Sequence, residues 1–395
     1  MNIIISFIYR MIPRVMLIGC CMALALATVK VSGAVQPGQR WHGLNVNRQG
    51  VLEKDGRPYR GIGANYVGAL RQLLRNSDKP SVLHDLQQLH QYHIPFIRFP
   101  ALAAWGSPAR CRAYLLKVYA SAPQRYFHAM DKLCAMANRY HIGLIPSLFF
   151  TRWPNDLAGQ KGLTAWNNKH SRTYKIWTTY VKNMVRRYAH NRAIWGWEFG
   201  NELNLNVDLP NAGQHGGYLP SLGYTHVQMW ALYTRFVRLI RRYDPQHIIE
   251  AGNSRPRWSS WHNMVKHSWQ RDTLHQWATM LKKDNAAFDM VCVHEYGASA
   301  PANIARVAVL AARWHKPVFV GEFGVPGSKA KSRRLFNAML QSIVESNIAL
   351  SAVWAFDEPH QTYGKEDYSI TATNNRRYML AAIESANLRL MRGRP

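Results

Sequence analysis

The stretch AIWGWEFGNE, Ala193–Glu202, begins as an apolar run and ends on an amide and a carboxylate. Its length and composition fit a short buried strand, and seven further runs share its form. They are Tyr59–Val67, Ile94–Pro100, Ile142–Phe150, His247–Asn253, Phe288–Gly297, Pro317–Val325 and Ile348–Phe356. Amphipathic segments lie between and after them, most clearly Ser81–His93, Gln124–His141, Ser171–Asn191, Thr225–Tyr243 and Lys331–Asn347. Several have turn chemistry at their ends, such as Asp244-Pro245 and His315-Lys316-Pro317. Eight successive βα units predict an α/β fold, a (β/α)8 TIM barrel, whose functional site lies at the C-terminal ends of the strands. The alternative is a doubly wound open sheet. That fold calls for a Gly-rich phosphate loop after the first strand, and none follows Tyr59–Val67.

Upstream of the first run, the Asp55-Gly56 turn between Val46–Leu52 and Arg57 predicts a short β-hairpin leading into the barrel. No Gly/Ser-rich linker or low-complexity tract interrupts the 395 residues, so residues 35–395 read as a single domain. The first 34 residues differ. Arg10 and Arg14 precede the uninterrupted apolar run Val15–Val29, followed by Lys30 and the small residues Ser32-Gly33-Ala34. This predicts a secretory signal peptide over residues 1–34 and a secreted or periplasmic protein. The run is short for a membrane span; an uncleaved anchor, or lipidation at Leu17–Cys20, is the alternative. With Cys20 and Cys21 in the leader, Cys111, Cys134 and Cys292 remain. Export would permit a Cys111–Cys134 disulfide, and three ordinary thiols are an equally open reading.

The formal net charge is +28. Such an excess suits contact with polyanions, either an anionic glycan or a charged envelope surface. The cations are spread in pairs such as Arg186-Arg187, Arg241-Arg242, Lys282-Lys283 and Arg333-Arg334 on predicted helix faces. No helix-turn-helix or RNA-binding signature accompanies them, and no nucleic-acid partner is expected.

Chemistry collects at the strand ends: Arg98 in the second, Asn201-Glu202 in the fourth, His294-Glu295-Tyr296 in the sixth, Glu322 in the seventh and Trp354 in the eighth. Singly, Arg98 reads as an ion-pair partner, His294 as a hydrogen-bonded core histidine and Trp354 as a core aromatic. Glu322 is harder to set aside, because a carboxylate inside VFVGEFG is costly to bury. Strand alternation places His294 and Tyr296 on one face and Glu295 on the other. Two carboxylates facing each other across a barrel mouth suit glycosidic bond cleavage, one as proton donor and the other as nucleophile.

The pattern resembles glycoside hydrolase family 5, which lies in a clan of retaining barrel glycosidases and includes cellulases and β-mannanases. The resemblance rests on Trp195–Glu202 and Val318–Gly324, and runs from about Arg57 to the end of the eighth unit. It implies that Glu202 is the acid/base and Glu322 the nucleophile. Asn201 would hold the sugar 2-hydroxyl, Arg98 and Tyr296 would hydrogen-bond Glu322, His294 would tune Glu202, and Trp354 would floor the reacting sugar. Glu198 would be a structural partner for a buried base. The histidine that many members carry after the third strand is missing from Ser147–Phe150, which weakens a cellulase assignment more than the chemistry. Trp105, Trp153 and Trp258, in predicted loops, are candidates for sugar stacking, and Arg152, Arg255 and Lys329 for contact with an acidic substrate. No cofactor and no metal is expected.

The function expected is therefore that of a retaining β-glycosidase, endo-acting on a β-1,4-linked polysaccharide such as mannan or glucan. A glycosidase for an anionic exopolysaccharide or envelope glycan is the alternative. A non-catalytic glycan-binding barrel is the alternative of a different class, and the intact pair Glu202 and Glu322 argues against it.

Overall fold

Each of the eight apolar runs forms a strand in the computed structural model, which describes residues 42–75, 80–102, 114–150, 163–210, 224–358, 362–363 and 366–393. Ahead of them lie β1 (Leu44–Val46), β2 (Leu52–Lys54) and β3 (Arg57–Pro58), an antiparallel meander with one strand more than the expected hairpin. Its tight turn has Asp55 and Gly56 at φ 54° and 76°, the two positive values that a type I′ hairpin requires.

The barrel strands are β4 (Gly61–Asn65), β5 (Phe96–Pro100), β6 (Gly143–Phe149), β7 (Gly196–Gly200), β8 (Ile248–Glu250), β9 (Val291–Tyr296), β10 (Val318–Gly324) and β11 (Leu350–Val353). They run parallel in the order β8-β7-β6-β5-β4-β11-β10-β9. The last strand pairs with the first, Leu350 opposite Gly61, as closure demands. Between β8 and β9 the Asp289 N–H donates to the Ile249 carbonyl at 3.0 Å.

Helices cover the outside. They are α1 (Ala69–Arg75), α2 (Pro80–Gln91), α3 (Tyr114–Ser121), α4 (Pro123–Arg139), α5 (Leu163–Asn167), α6 (Arg172–Tyr188) and α7 (His226–Arg241), then α8 (Ser260–Lys266), α9 (Leu274–Asp284), α10 (Ala300–Ala312), α11 (Ala330–Glu345) and α12 (Tyr378–Arg392). Thr225 with Gln228, and Thr273 with Gln276, form capping boxes at the starts of α7 and α9. The inward faces of α4, α6 and α7 bury aromatic and long aliphatic side chains against the strands. Phe199, for example, meets Tyr233 and Phe236 edge-on, each at 5.0 Å. Among the described residues no helix is long and apolar enough to cross a membrane. Cys134 and Cys292 are buried free thiols, so of the two open readings Cys134 follows the one without a disulfide; Cys111 lies outside the described residues, as do residues 1–41.

Two backbone irregularities aim side chains into the mouth. In β10 the register shifts: Val320 pairs with Val293, yet Glu322 pairs with His294. Gly321 is the extra residue of a bulge, which turns Glu322 to the face that His294 occupies. In β8's exit, Gly252 sits at φ +65° and accepts the Glu202 N–H at 2.8 Å.

A Cβ on Gly252 would collide with the Gly200 carbonyl and stand 2.8 Å from the Glu198 carboxyl carbon, whereas one on Gly56 would meet nothing within 4 Å. Both positions have positive φ, so Gly56→Ala is expected to cost about 1–2 kcal/mol and Gly252→Ala about 2–5 kcal/mol in denaturant unfolding. Equal losses in the two variants would refute the close approach at Gly252.

Candidate active site

Arg98 leaves β5 fully buried inside the barrel and must find acceptors there. It finds four. Nε donates to Glu198 Oε2 at 2.5 Å, Nη1 to Asn65 Oδ1 at 2.8 Å and to Glu322 Oε1 at 2.9 Å, and Nη2 to Asn201 Oδ1 at 2.7 Å. The Phe150 ring lies 5.3 Å from the guanidinium carbon. Burial alone would lower the proton affinity of Arg98, but the Glu198 and Glu322 charges outweigh it and push it up. The guanidinium is a permanent cation.

Around it the strand ends converge. Tyr296 donates to Glu322 Oε2 at 2.7 Å, so each Glu322 oxygen has one strong donor. His294 Nδ1 lies 3.0 Å from Glu202 Oε1 and 3.5 Å from Glu322 Oε2. Glu202 itself stands beyond β7 in the left-handed region, at φ 50° and ψ 31°. That conformation is uncommon for a residue with a Cβ, and several bonds hold it. Besides the bond to Gly252, its carbonyl accepts from Leu205 N and Asn206 Nδ2, each at 3.1 Å. The Glu202 side chain is 33% exposed and that of Glu322 only 7%, so one carboxyl faces solvent and the other is enclosed.

Their proton affinities part accordingly. For Glu322, burial raises it; His294 and Arg98 pull it down, the Glu202 charge adds to the rise, and the net shift is upward. For Glu202, burial also raises it, but the His294 hydrogen bond, its charge and Arg98 prevail, and the net shift is downward. The buried His294 Nε2 has no hydrogen-bond partner among the described residues, and Nδ1 is the ring atom that meets Glu202. Glu202, His294 and Glu322 each place a ligand atom within 4.8 Å of the others, a spacing that would suit a cation; Arg98, bonded to Glu322, already supplies positive charge there.

The model for Cellulase (glycosyl hydrolase family 5) matches residues 153–358. The chain belongs to glycoside hydrolase family 5. Among curated proteins no sequence matches it. Its fold is similar to the endo-1,4-β-mannanase of Rhizomucor miehei, at TM-score 0.63 and 15% identity over 89% of this chain and 99% of that one. The endo-β-1,4-mannanase of Thermotoga petrophila matches at 0.59 and 14%, over 84% and 78%. An exo-β-1,4-mannosidase from an Opitutaceae bacterium matches at 0.57 and 16%, over 88% and 63%.

In this family 5 chain, the strand-end residues Arg98, Asn201, Glu202, His294, Tyr296 and Glu322 do meet. Trp354, 5% exposed, packs beside them with Val67, Phe150, Tyr296 and Tyr368. Trp105, Trp153 and Arg152 lie outside the described residues. Trp258 is corrected as a sugar platform: its ring is stacked on Trp277 at 4.7 Å and carries the guanidinium groups of Arg271 at 4.8 Å and Arg306 at 5.7 Å. Arg255 is likewise corrected, because it pairs with Glu295 at 3.1 Å on the outward side of β9. Burial, opposed by Arg255, pushes Glu295 up to about 7.

Sequence reasoning missed Asn65, Glu250 and Phe150. Asn65 Nδ2 donates to the Gly321 carbonyl at 2.9 Å, so it ties the bulge that aims Glu322 to the Arg98 that binds it. Asn65 ends GIGAN and Glu250 ends IIE; the strand-end rule that found Arg98 and Glu322 would have found both. Glu198 and Glu250 are register partners, both fully buried. Burial would raise both. Arg98 returns Glu198 below its ordinary range, while burial and the Glu198 charge push Glu250 well above its own. Glu250 therefore carries a proton and donates it to Glu198, as Gly252 N donates to Glu250 Oε2 at 2.7 Å.

An amide can replace the donor but not the anion. Glu250→Gln is expected to fold and to retain kcat/KM within a few fold. Glu198→Gln strands the Arg98 Nε charge and should cost about 3–5 kcal/mol in denaturant unfolding, with a parallel loss of kcat/KM. Equal tolerance of the two amides would refute the shared proton.

Proposed function

We propose that the chain is a retaining β-glycosidase, cleaving a β-1,4-linked polysaccharide, mannan in the first instance, from within the polymer. The observation that carries the mechanism is the spacing of Glu202 and Glu322. Their nearest oxygens lie within 4.8 Å. Retaining glycosidases hold their two carboxyl groups about 5–5.5 Å apart, whereas inverting ones leave about 6.5–9.5 Å for a water. Mannan is favoured by the likeness in fold to mannanases and a mannosidase.

In this mechanism Glu322, held by Arg98 and Tyr296, attacks the anomeric carbon. Glu202 protonates the departing glycosidic oxygen, and a glycosyl ester forms on Glu322. Water then enters, Glu202 takes its proton, and attack at the anomeric carbon releases Glu322. Both bonds form on opposite faces in turn, so configuration is retained. The groups that surround the two carboxyls set their proton affinities in the reverse order from the one these steps need. Substrate supplies the reversal. A sugar over the half-exposed Glu202 removes its water and favours its neutral form, while both donors to Glu322 stay in place and favour its charge. Asn201, with Oδ1 committed to Arg98, turns its amide N–H2 away from the guanidinium, ready to donate to the sugar 2-hydroxyl. Trp354 offers an apolar face to the same sugar. We propose further that residues 1–34 are a leader and that the enzyme acts outside the cytoplasm, on the strength of the apolar run Val15–Val29 behind Arg10 and Arg14.

The two carboxylates differ in what an activated substrate rescues. Glu322→Ala should lower turnover by at least about a thousandfold on mannan and on dinitrophenyl β-mannoside alike. Glu202→Ala should fail on mannan yet still release dinitrophenolate, a leaving group that needs no proton. The wild-type pH profile should be bell-shaped, rising as Glu322 loses its proton and falling as Glu202 loses its own. Proton NMR of the first-formed sugar should show the β-anomer; initial α-anomer would overturn the double displacement. Early release of mixed oligosaccharides marks internal cleavage, and release of mannose alone marks exo action. Wild-type protein that binds a β-glycan, yet cleaves none, would favour the non-catalytic barrel.

A further inference from the structure

Helices α6 and α7 lie side by side in the outer layer and carry cations without acids. From Leu157 to Trp197, and again from Leu209 to Tyr243, the chain has no Asp or Glu. It has seven Lys and Arg between Lys169 and Arg192 and four between Arg235 and Arg242. Two are neutralised by other elements, Arg187 by Asp131 and Arg241 by Asp289, each at 2.5 Å. Among the described residues no carboxylate pairs with the rest.

The remaining charges are not scattered. A cleft of about 220 Å³ between the two helices is lined by Lys169, Arg235, Arg238 and Arg242, with Tyr174 and Thr178. Lys169, Arg238 and Arg242 are exposed and Arg235 is half-buried. The Nε of Arg235 is closed off from solvent and has no hydrogen-bond partner among the described residues, a costly state for a charged donor unless an acceptor arrives. Lys175 and Lys182 flank Thr178 one turn to either side, and with Arg172 and Arg186 they form a single stripe on α6, all four exposed. At 1.5 Å per residue this stripe runs about 21 Å. Cations converging on a cleft and continuing along a line hold a positive potential that an extended anion would match.

We propose that the α6–α7 face is a second, non-catalytic site that binds an anionic polysaccharide through its carboxylate groups. Arg235, Arg238 and Arg242 grip it in the cleft, and the α6 stripe follows the polymer beyond. The choice of a glycan rests on the glycosidase function proposed above; the positive face does not. Single-stranded nucleic acid is the less suited occupant, since its binding grooves offer aromatic platforms for bases. Here Trp177 is buried, its Nε1 donating to the Trp166 carbonyl at 2.9 Å, and Tyr174 is half-buried.

The test uses the full chain carrying Glu322→Ala, so that binding is read apart from turnover, with polygalacturonate as probe and uncharged mannan as control. The quadruple change Lys175→Gln, Lys182→Gln, Arg238→Gln and Arg242→Gln alters exposed side chains only. We expect it to raise the Kd for polygalacturonate at least about tenfold at low salt, and to flatten the salt dependence. Mannan binding and the thermal midpoint should not move. Unchanged polygalacturonate affinity would overturn the site, since the charge would then act diffusely, and so would a wild-type face that fails to bind polygalacturonate at all. Tighter binding of a single-stranded oligonucleotide of matched charge, lost in the same variant, would overturn the partner. A chain that cleaves no β-glycan but passes this test keeps the face and loses the catalytic reading.

Discussion

A guanidinium with no access to water cannot be left short of acceptors, and most of this active site is the set of acceptors that Arg98 requires. Two carboxylates and two amides, from three different strands or their exits, meet its N–H groups. Removing one partner from such a group leaves buried charge uncompensated, which costs more than the bond itself was worth. The arrangement is therefore rigid in a particular sense. Glu322, Asn201, Asn65 and Glu198 are positioned by one another's need for the same cation. The apolar shell around the strands supplies the folding energy, but this polar layer decides where the strand ends point.

Two local departures from regular structure serve that layer. The bulge at Gly321 turns a carboxylate that simple alternation would send elsewhere toward His294, and Asn65 pins the bulge to Arg98. The left-handed backbone of Glu202 lifts the second carboxyl past the end of β7, and Gly252 holds it there. Beneath them the Glu198–Glu250 pair keeps one proton, so that Arg98 meets one negative charge at Nε, not two. Departures from ideal geometry thus fall where chemistry is expected, and each has an identifiable partner holding it.

How much of this was legible beforehand varies with the range of the cause. The barrel was, because eight apolar runs and the helices between them are local patterns repeated along the chain. The main site residues were too, since polar groups at strand ends contradict their own apolar surroundings. Asn65 and Glu250 break pattern in the same way at the ends of GIGAN and IIE, and were legible by the same signal. Trp258 and Arg255 failed for the opposite reason. An aromatic or a cation in a loop has no local signal that separates a cleft from a packing contact, and here Trp277 and Glu295 had claimed them.

The sequence by itself determined the element order, the residue types at the barrel mouth and, through motif resemblance, the family. It determined these because periodicity and composition are written over short spans. Only the tertiary structure decided which groups touch. Glu202 and Glu322, like Arg98 and its four acceptors, are distant in sequence, and their contacts depend on closure, register and one extra residue in a strand. A one-residue shift reverses the face of every side chain that follows it. No local pattern records such a shift; the partners across the barrel do.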